Sequence, residues 1–417
     1  MSASGVIDVL LLSNGHGEDT SGALLATALM RHGLQVEAMP LVGRGAAYRQ
    51  AGVAVPRWLK DFSTGGLGYA TLVGRLKELG QGQPVYLVSL LLRLWRHRRR
   101  YRLVIAVGDL IPVLAAWLTG RPRLVYLVAY SSHYEGRLQL PWPCGPLLRQ
   151  RAVRTIWTRD ALTAADLSQQ LGRPVHFVGN PFLDPVIPAH GTDDRPAGGD
   201  GPCLLLLPGS RLPEAGRHLE LMLQALMRLP AHPDLRLQAA LVSGLDGHGL
   251  AQLDPGPGWR LEPATGGRPW QLQHRGGLTL ELHWGAFAAL LGGCDLVLSM
   301  TGTAAEQAVG LGLPVVQMLG EGAGSVFGDR FADAQRRLLG PGVCCAPGRG
   351  GSEAQIAGTA RLLDDLLETL TDPHRRQDLQ RQLDQLAMER IGPAGGTAAM
   401  AGAIMDTLAR SAASGDG

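Results

Sequence analysis

Four short stretches hold residue types that could do chemistry, and each follows an apolar run. The first, NGHGEDTSG at residues 14–22, carries a histidine, two carboxylates, two hydroxyls and three glycines. Three readings fit it: a phosphate cradle, a catalytic base site, or a plain strand-to-helix turn. As a dinucleotide fingerprint, Gly15 and Gly17 match G-x-G, and Glu37 lies 20 residues after Gly17 where a ribose-binding acid is expected. Thr20, however, stands where the third glycine belongs. As a turn, Asp19, Thr20 or Ser21 would cap the following helix, which accounts for one polar residue but not for His16 and Glu18 together.

The second stretch is AVGDLIP at residues 106–112, which sets Asp109 at the mouth of a strand. A carboxylate there can cap the next helix. It can also act as a base, or orient His16. A histidine–carboxylate pair deprotonates a hydroxyl because the acid fixes the imidazole tautomer and stabilises the imidazolium.

The third and fourth suit an anion. LLLLPGSRLPE at residues 204–214 ends a strand in Pro208-Gly209-Ser210-Arg211. The amides of Gly209 and Ser210 can face a phosphate, and Arg211 can bond it with two N–H groups. In VLSMTGTAAEQAVGLGLPVVQM, residues 297–318, a strand runs into Thr301-Gly302-Thr303 and then a small-residue helix. Hydroxyls, a glycine and a helix N-terminus together suit a diphosphate, and Glu306 or Gln307 could take a sugar hydroxyl. Both stretches could also be simple surface turns.

The elements that must position these residues alternate. Val6–Leu12 reads as a buried strand, followed by a helix over Ser21–His32 with Gly33 as its stop. Short strands are expected at Gln35–Met39, Leu103–Val107, Arg123–Ala129, Thr155–Thr158 and Val175–Val178. Helices are expected at Leu67–Leu79, Val85–Arg99 and Ile111–Leu118. Residues 188–202, PAHGTDDRPAGGDGP, have linker composition. A second series follows: strands at Cys203–Leu207, Leu237–Val242, Leu280–Leu282, Leu296–Ser299 and Pro314–Met318. Its helices lie at Glu214–Leu229, Ala286–Leu291 and Ala304–Leu311, with a helical end over 352–408. Strands alternating with helices imply parallel sheets covered on both faces, with ligands beyond the carboxyl ends of the strands. The expected fold class is therefore α/β, two Rossmann-like domains with parallel sheets facing a central cleft. Residues 1–187 form the first domain, 188–202 the linker and 203–390 the second domain. Residues 391–417 form a C-terminal helix packing back on the first.

Composition supports a loop-rich enzyme. The 417 residues are 45% hydrophobic and 18% charged, with 57 glycines and 27 prolines. A net charge of +3 gives no argument for nucleic acid. The charge is uneven, though: RLWRHRRRYR at residues 93–102 directly follows the apolar VYLVSLLLRLW, which suits an anionic membrane surface as well as a solvated helix face. Five cysteines without metal spacing point to a reducing compartment. No secretory leader is evident. The longest apolar run, LVIAVGDLIPVLAAWL, contains Asp109 and Pro112, so no span of a bilayer is expected. The expected location is cytoplasmic, peripheral on the membrane's inner face.

LLPGSR, VGNPFLDPV at residues 178–186, TGTAAEQAVGLGLPVV and the opening GEDTSG together resemble the lipid-A-disaccharide synthase family, glycosyltransferases of the GT-B fold. The likeness runs in order from about residue 8 to 400, and LLPGSR is its most specific part. The resemblance implies inverting transfer of an N-acetylglucosamine-like sugar from a UDP-sugar to a lipid-linked or glycolipid acceptor. The second half would hold the nucleotide at Gly209, Ser210, Arg211, Thr301, Gly302, Thr303, Glu306 and Gln307. The first half would hold the acceptor, with Asp109 at the position of an important family acid. Glu18 is a further catalytic candidate, Ser21 and Asn180 lie near the acceptor, and the base is either Asp109 or His16 backed by Asp109. No cofactor or metal is implied, since helix N-termini and Arg211 can stabilise the leaving diphosphate. Two departures stand out. The family's first loop, roughly G-E-A-S-G-D, has no histidine, and its glutamate in the fourth motif aligns with Gln307. Two rivals remain: a UDP-sugar 2-epimerase on the same fold, and a non-catalytic membrane-surface binding protein.

Overall fold

The computed structural model describes residues 5–56, 59, 83–187, 201–254, 256–266, 268–320 and 329–413; for His16, Gln83, Pro84, Val85, Leu87, Glu135, Asp329 and Arg330 it describes the backbone alone. The helix expected over Leu67–Leu79 and nearly all of the 188–202 linker lie outside the described residues. The chain divides into two compact units, residues 1–184 with 393–417, and residues 185–392.

The first unit is built on five parallel strands: β1 (Ile7–Ser13), β2 (Val36–Pro40), β3 (Tyr101–Val107), β4 (Arg123–Leu127) and β5 (Val153–Thr158), in the order β2-β1-β3-β4-β5. Successive side chains of a strand point to opposite faces, and here both faces are covered. Leu10 and Leu12 join one core with Leu90 and Leu94 of the Gln83–His97 helix and with Val113 and Ala116 of the Leu110–Leu118 helix. Val9 and Leu11 join the other with Leu25 and Leu29 of the His16–Arg31 helix and with Met400 and Ile404 of the C-terminal helix Gly396–Ala413. A strand covered on both faces can be apolar at every position, which is why these runs show no alternation.

Several expectations need correction. The first helix starts at His16, five residues before the expected Ser21, so most of NGHGEDTSG is helix rather than loop. Its N-cap is Gly15, in extended conformation and without a side-chain cap bond. Asp19, one of the expected caps, instead lies buried against Ser13. Val175–Val178 is not a strand; His176 makes only an isolated bridge with Trp157. The cationic run is partly neutralised, because Arg100 pairs with Glu37 at 2.9 Å and Arg102 with Asp8 at 2.8 Å. Glu37, the acid of the dinucleotide fingerprint, is thus bound to Arg100 and to Tyr101 Oη.

The second unit holds an eight-stranded sheet of order β13-β12-β11-β6-β7-β10-β9-β8. β6 (Cys203–Leu207), β7 (Arg236–Leu241), β10 (Thr279–Trp284), β11 (Leu296–Ser299), β12 (Val315–Gln317) and β13 (Val343–Cys345) are parallel. β8 (Trp259–Glu262) and β9 (Trp270–His274) add an antiparallel hairpin at one edge, so this sheet is not wholly parallel as expected. The Glu214–Leu226 and Glu353–Thr371 helices pack Leu219, Leu223, Ile356 and Leu363 against Leu204, Leu206, Leu298 and Val316. Among the described residues, no helix is long and apolar enough to cross a membrane.

Candidate functional site

In each unit the polar residues gather where parallel strands end. β1 and β3 are neighbours, with Ser13 in register with Val107. The residues that follow, Asn14 and Asp109, are therefore brought together across the sheet edge. Asn14 Nδ2 donates to Asp109 Oδ1 at 2.9 Å, and the amide of Ile111 donates to the same oxygen at 2.8 Å. Asp109 thus caps the Leu110–Leu118 helix, as its position after a strand allowed, and is also held from the side by Asn14. His16 opens its helix at the adjacent strand end; its side chain lies outside the described residues.

Glu18 lies beside this pair. Burial pushes its carboxyl above the usual range and the Asp109 charge adds to this; a hydrogen bond from its own amide and the Arg159 guanidinium oppose. Gly108, at φ +134°, makes the packing possible: a Cβ there would sit 2.7 Å from Asn14 Oδ1 and 3.1 Å from Glu18 Cγ. Tyr130 Oη accepts from the Leu110 amide at 3.1 Å. Burial and the Asp109 charge hold that phenol above its ordinary range.

Behind them is a buried chain of polar groups. Ser13 Oγ donates to Asp19 Oδ1 at 2.6 Å and lies 3.0 Å from Tyr48 Oη. Burial, with the Glu18 charge added, pushes the Asp19 carboxyl up to about 7 against the Ser13 hydrogen bond. Ser21 is buried, and its Oγ has no hydrogen-bond partner among the described residues.

The next two strand ends supply residues that sequence reasoning missed. Asp160, two residues after β5 as Asp109 is two after β3, accepts from Ser131 Oγ at 2.7 Å and caps the Ala161–Leu171 helix through Thr163 N at 2.7 Å. His133 Nε2 lies 3.9 Å from Asp160 Oδ1. The repeated strand-plus-two aspartate was the available signal. Asn180 serves the chain's return into this unit: its Oδ1 accepts from Phe182 N at 3.0 Å and its amide donates to Pro393 O at 2.7 Å. Asp184, four residues on, accepts from the amides of Gly395 and Thr397 at 2.6 and 2.9 Å.

In the second unit, β6 and β11 are neighbours, so the loops Pro208–Arg211 and Thr301–Thr303 emerge side by side. The Met300 amide donates to Leu207 O at 3.0 Å, joining their roots. Gly209 takes φ +116°, a conformation that favours glycine. His218, also missed in the sequence, donates from Nδ1 to Pro208 O at 2.7 Å, and burial holds its imidazole below the usual range. A neutral ring with a fixed tautomer thus pins the loop from beneath. Arg211 is exposed.

The second loop is pinned as firmly. Ser299 Oγ accepts from the Thr301 amide at 3.0 Å and lies 2.7 Å from Thr301 Oγ1, while Gln317 Nε2 donates to Thr301 O at 3.0 Å. Gly302 is the N-cap of the Thr303–Gly310 helix and makes no side-chain cap bond, so the first-turn amides stay available to an anion. Glu306 and Gln307 are both buried. Among the described residues, no group of three His, Cys, Asp or Glu side chains could hold a metal ion.

This architecture is the GT-B fold. The calicheamicin glycosyltransferase CalG4 matches it with a TM-score of 0.58 at 17% identity, over 97% of this chain and 99% of that one. MurG of Acinetobacter baumannii matches at 0.54 and 16%, over 96% and 99%. A Listeria monocytogenes protein provisionally described as a UDP-N-acetylglucosamine 2-epimerase matches at 0.51 and 13%, over 94% and 93%. In sequence the chain resembles lipid-A-disaccharide synthases. It is 41% identical to that of Alkalilimnicola ehrlichii over 106 residues, 22% of this chain and 28% of the relative. It is 50% identical to that of Thiobacillus denitrificans over 64 residues, 14% and 17% of the two. The matched stretches therefore span under a third of either relative's length. No family model matches the chain.

Proposed function

We propose that the protein is an inverting GT-B glycosyltransferase that moves an N-acetylglucosamine-like sugar from a UDP-sugar to a lipid-linked acceptor. The observation that carries this reading is the pairing of two rigid, anion-suited loops, Pro208–Arg211 and Thr301–Thr303, at adjacent strand ends. Fold alone does not fix function. The partial likeness to lipid-A-disaccharide synthases supports the proposed substrate class.

In this reading residues 203–390 bind the donor and residues 1–187 the acceptor, with Ser21 and Asn180 on the acceptor side. The amides of Gly209, Ser210 and Thr303, the Thr301 hydroxyl and the Arg211 guanidinium hold the diphosphate, Gly302 lets it approach, and Glu306 and Gln307 shape the sugar end. Asp109 takes the proton from the acceptor hydroxyl, with Glu18 beside it and His16 at the adjacent strand end. The freed oxygen attacks the anomeric carbon from the face opposite UDP. The bond from that carbon to the β-phosphate oxygen breaks, and its electron pair leaves on UDP, where the helix N-terminus and Arg211 offset the charge.

We also assign this protein to the cytoplasmic face of a membrane. Its five cysteines are unpaired. The Gln83–His97 helix exposes Val88, Leu92 and Trp95 and contains no acidic residue. Arg98 stacks over Trp95 at 4.3 Å from the ring centroid. Spacings of four and three residues put these apolar side chains on one face.

Two measurements test the reading. UDP should raise the melting temperature, and Asp109→Asn should abolish sugar transfer while keeping UDP binding; no response to millimolar UDP would overturn it. The 2-epimerase reading has one observation in its favour, the shared fold of the Listeria protein. Incubation with UDP-N-acetylglucosamine alone separates the two, because an epimerase forms epimer or free UDP without any acceptor.

A further inference from the structure

Among the described residues, Asn14 is the one side chain that grips the Asp109 carboxylate from outside its own helix. Its Nδ2 donates to Asp109 Oδ1 across 95 residues of sequence. The Ile111 amide donates to the same oxygen, so both bonds fall on Oδ1. The two donors fix the plane of the carboxylate and leave Oδ2 as the oxygen that can take a proton.

The arrangement works against folding. Asn14 Oδ1 is buried and has no hydrogen-bond partner among the described residues. Turning the amide over would satisfy nothing, because Oδ1 would then face the Asp109 carboxylate. A buried acceptor without a donor is unfavourable, and a small apolar residue at position 14 would avoid it. Gly108 adds to the cost of the site: it takes φ +134°, and a Cβ there would meet Asn14 Oδ1 at 2.7 Å. Local conflicts of this kind concentrate at functional sites.

We propose that Asn14 is the positioning residue for Asp109, holding the carboxylate so that Oδ2 meets the acceptor hydroxyl. This rests on Asp109 being the base. Among the described residues, the charged or titratable groups around Asp109 are Glu18 on the His16–Arg31 helix, with Arg159 acting on Glu18, Tyr130 after β4, and Cys144 at the start of the Cys144–Leu148 helix; His16 opens the first helix at the neighbouring strand end. Among the described residues, neither Glu18, Tyr130 nor Cys144 donates a hydrogen bond to Asp109, and Asn14 is the side-chain donor found there.

The experiment compares wild type, Asn14→Ala, Asn14→Asp and Asp109→Asn. It measures UDP release from UDP-N-acetylglucosamine with a dodecyl glucosaminide acceptor across pH, and melting temperature. A donor to a carboxylate favours its charged form, and a second carboxylate disfavours it. Asn14→Ala should lower kcat about tenfold to a hundredfold with little change in the donor KM. It should also move the acid limb of the profile upward, and Asn14→Asp should move it further. The melting temperature of Asn14→Ala should hold or rise. A lowered melting temperature with an unmoved acid limb would make Asn14 merely structural and overturn the proposal. A crystal structure of Asn14→Ala gives a readout that needs no turnover: Asp109 rotated about its bond to Ile111 supports the proposal, and Asp109 unmoved sinks it. Full activity in Asp109→Asn would instead remove the base reading itself, a separate failure.

Discussion

Ser13 Oγ donates to Asp19 Oδ1 at 2.6 Å in a setting where the aspartate is only 4% exposed. A single hydroxyl does not offset the loss of water around that carboxylate, whose pKa is pushed up to about 7, chiefly by burial. The folded state therefore holds a proton that the unfolded chain releases near 4. With more protons bound in the native state, stability falls as pH rises. This contribution is complete below about pH 4 and is lost by about pH 7. Asp19→Asn keeps the hydrogen bond and removes the titration. Urea unfolding should show the variant gaining on the order of 2 kcal/mol over wild type between pH 5 and pH 8. Parallel pH dependence of the two proteins would refute this.

Gly22 and Tyr48 show the same pocket from its steric side. A Cβ on Gly22 would lie 1.9 Å from Tyr48 Oη and 2.7 Å from Cζ, and the Tyr48 ring is fully buried with no room to retreat. Ala favours helix over Gly by about 1 kcal/mol, yet here overpacking should win by about 1–3 kcal/mol. Gly22→Ala should thus melt lower than wild type. Tyr48→Phe in the same chain should recover part of the loss, because the hydroxyl is the nearest atom. A Gly22→Ala protein as stable as wild type would show that the ring yields freely.

How much of this was legible in the sequence depended on the range of the interactions. β6 and β11 were readable to the residue because Cys203–Leu207 and Leu296–Ser299 are unbroken apolar runs closed by turn residues. The first helix began earlier than expected because its opening turn holds Gly17 and two acids, a composition that reads as loop, and its cap Gly15 contributes no side chain. The β8–β9 hairpin escaped because its strands are short and mostly half-exposed, with little apolar signal. Asp109 and Thr301 were visible as polar residues, and Gly209 as a turn glycine, at strand mouths. Asn14 and His218 were not: one is defined by a partner 95 residues away, and the other looks like any polar position on an amphipathic helix.

Arg211 is the exposed cation of the Pro208–Arg211 and Thr301–Thr303 loops, which we propose hold the donor diphosphate, while Ser299, His218 and Gln317 are committed to holding those loops in place. Charge-assisted hydrogen bonds to a diphosphate contribute about 1.5–3 kcal/mol. Arg211→Ala should accordingly weaken UDP binding about tenfold to a hundredfold by calorimetry, with the melting temperature without ligand unchanged. Arg211→Lys should recover only part, since an ammonium lacks the planar fork. Equal UDP affinity in wild type and Arg211→Ala would remove Arg211 from the diphosphate site.

Val88, Leu92 and Trp95 lie exposed along one face of the Gln83–His97 helix, followed at once by Arg96 and the run Arg98–Arg100. Arg100 is held by Glu37, so Arg96, Arg98 and Arg99 carry the cationic rim. Each basic residue near an anionic surface contributes about 1 kcal/mol, and this falls off as salt is added. Each apolar side chain that leaves water adds about 1.5–3 kcal/mol. Neither set anchors the protein firmly alone, so binding should need both. In flotation with phosphatidylglycerol–phosphatidylcholine vesicles, Leu92→Glu should reduce the bound fraction at least tenfold at any salt. Arg98→Ala with Arg99→Ala should reduce it at low salt and leave little difference at high salt. UDP-induced stabilisation should be unaffected in all of them, because these residues belong to the first unit and the proposed UDP-binding loops to the second. Vesicle binding that survives Leu92→Glu intact would mean that this helix face is not what meets the lipid.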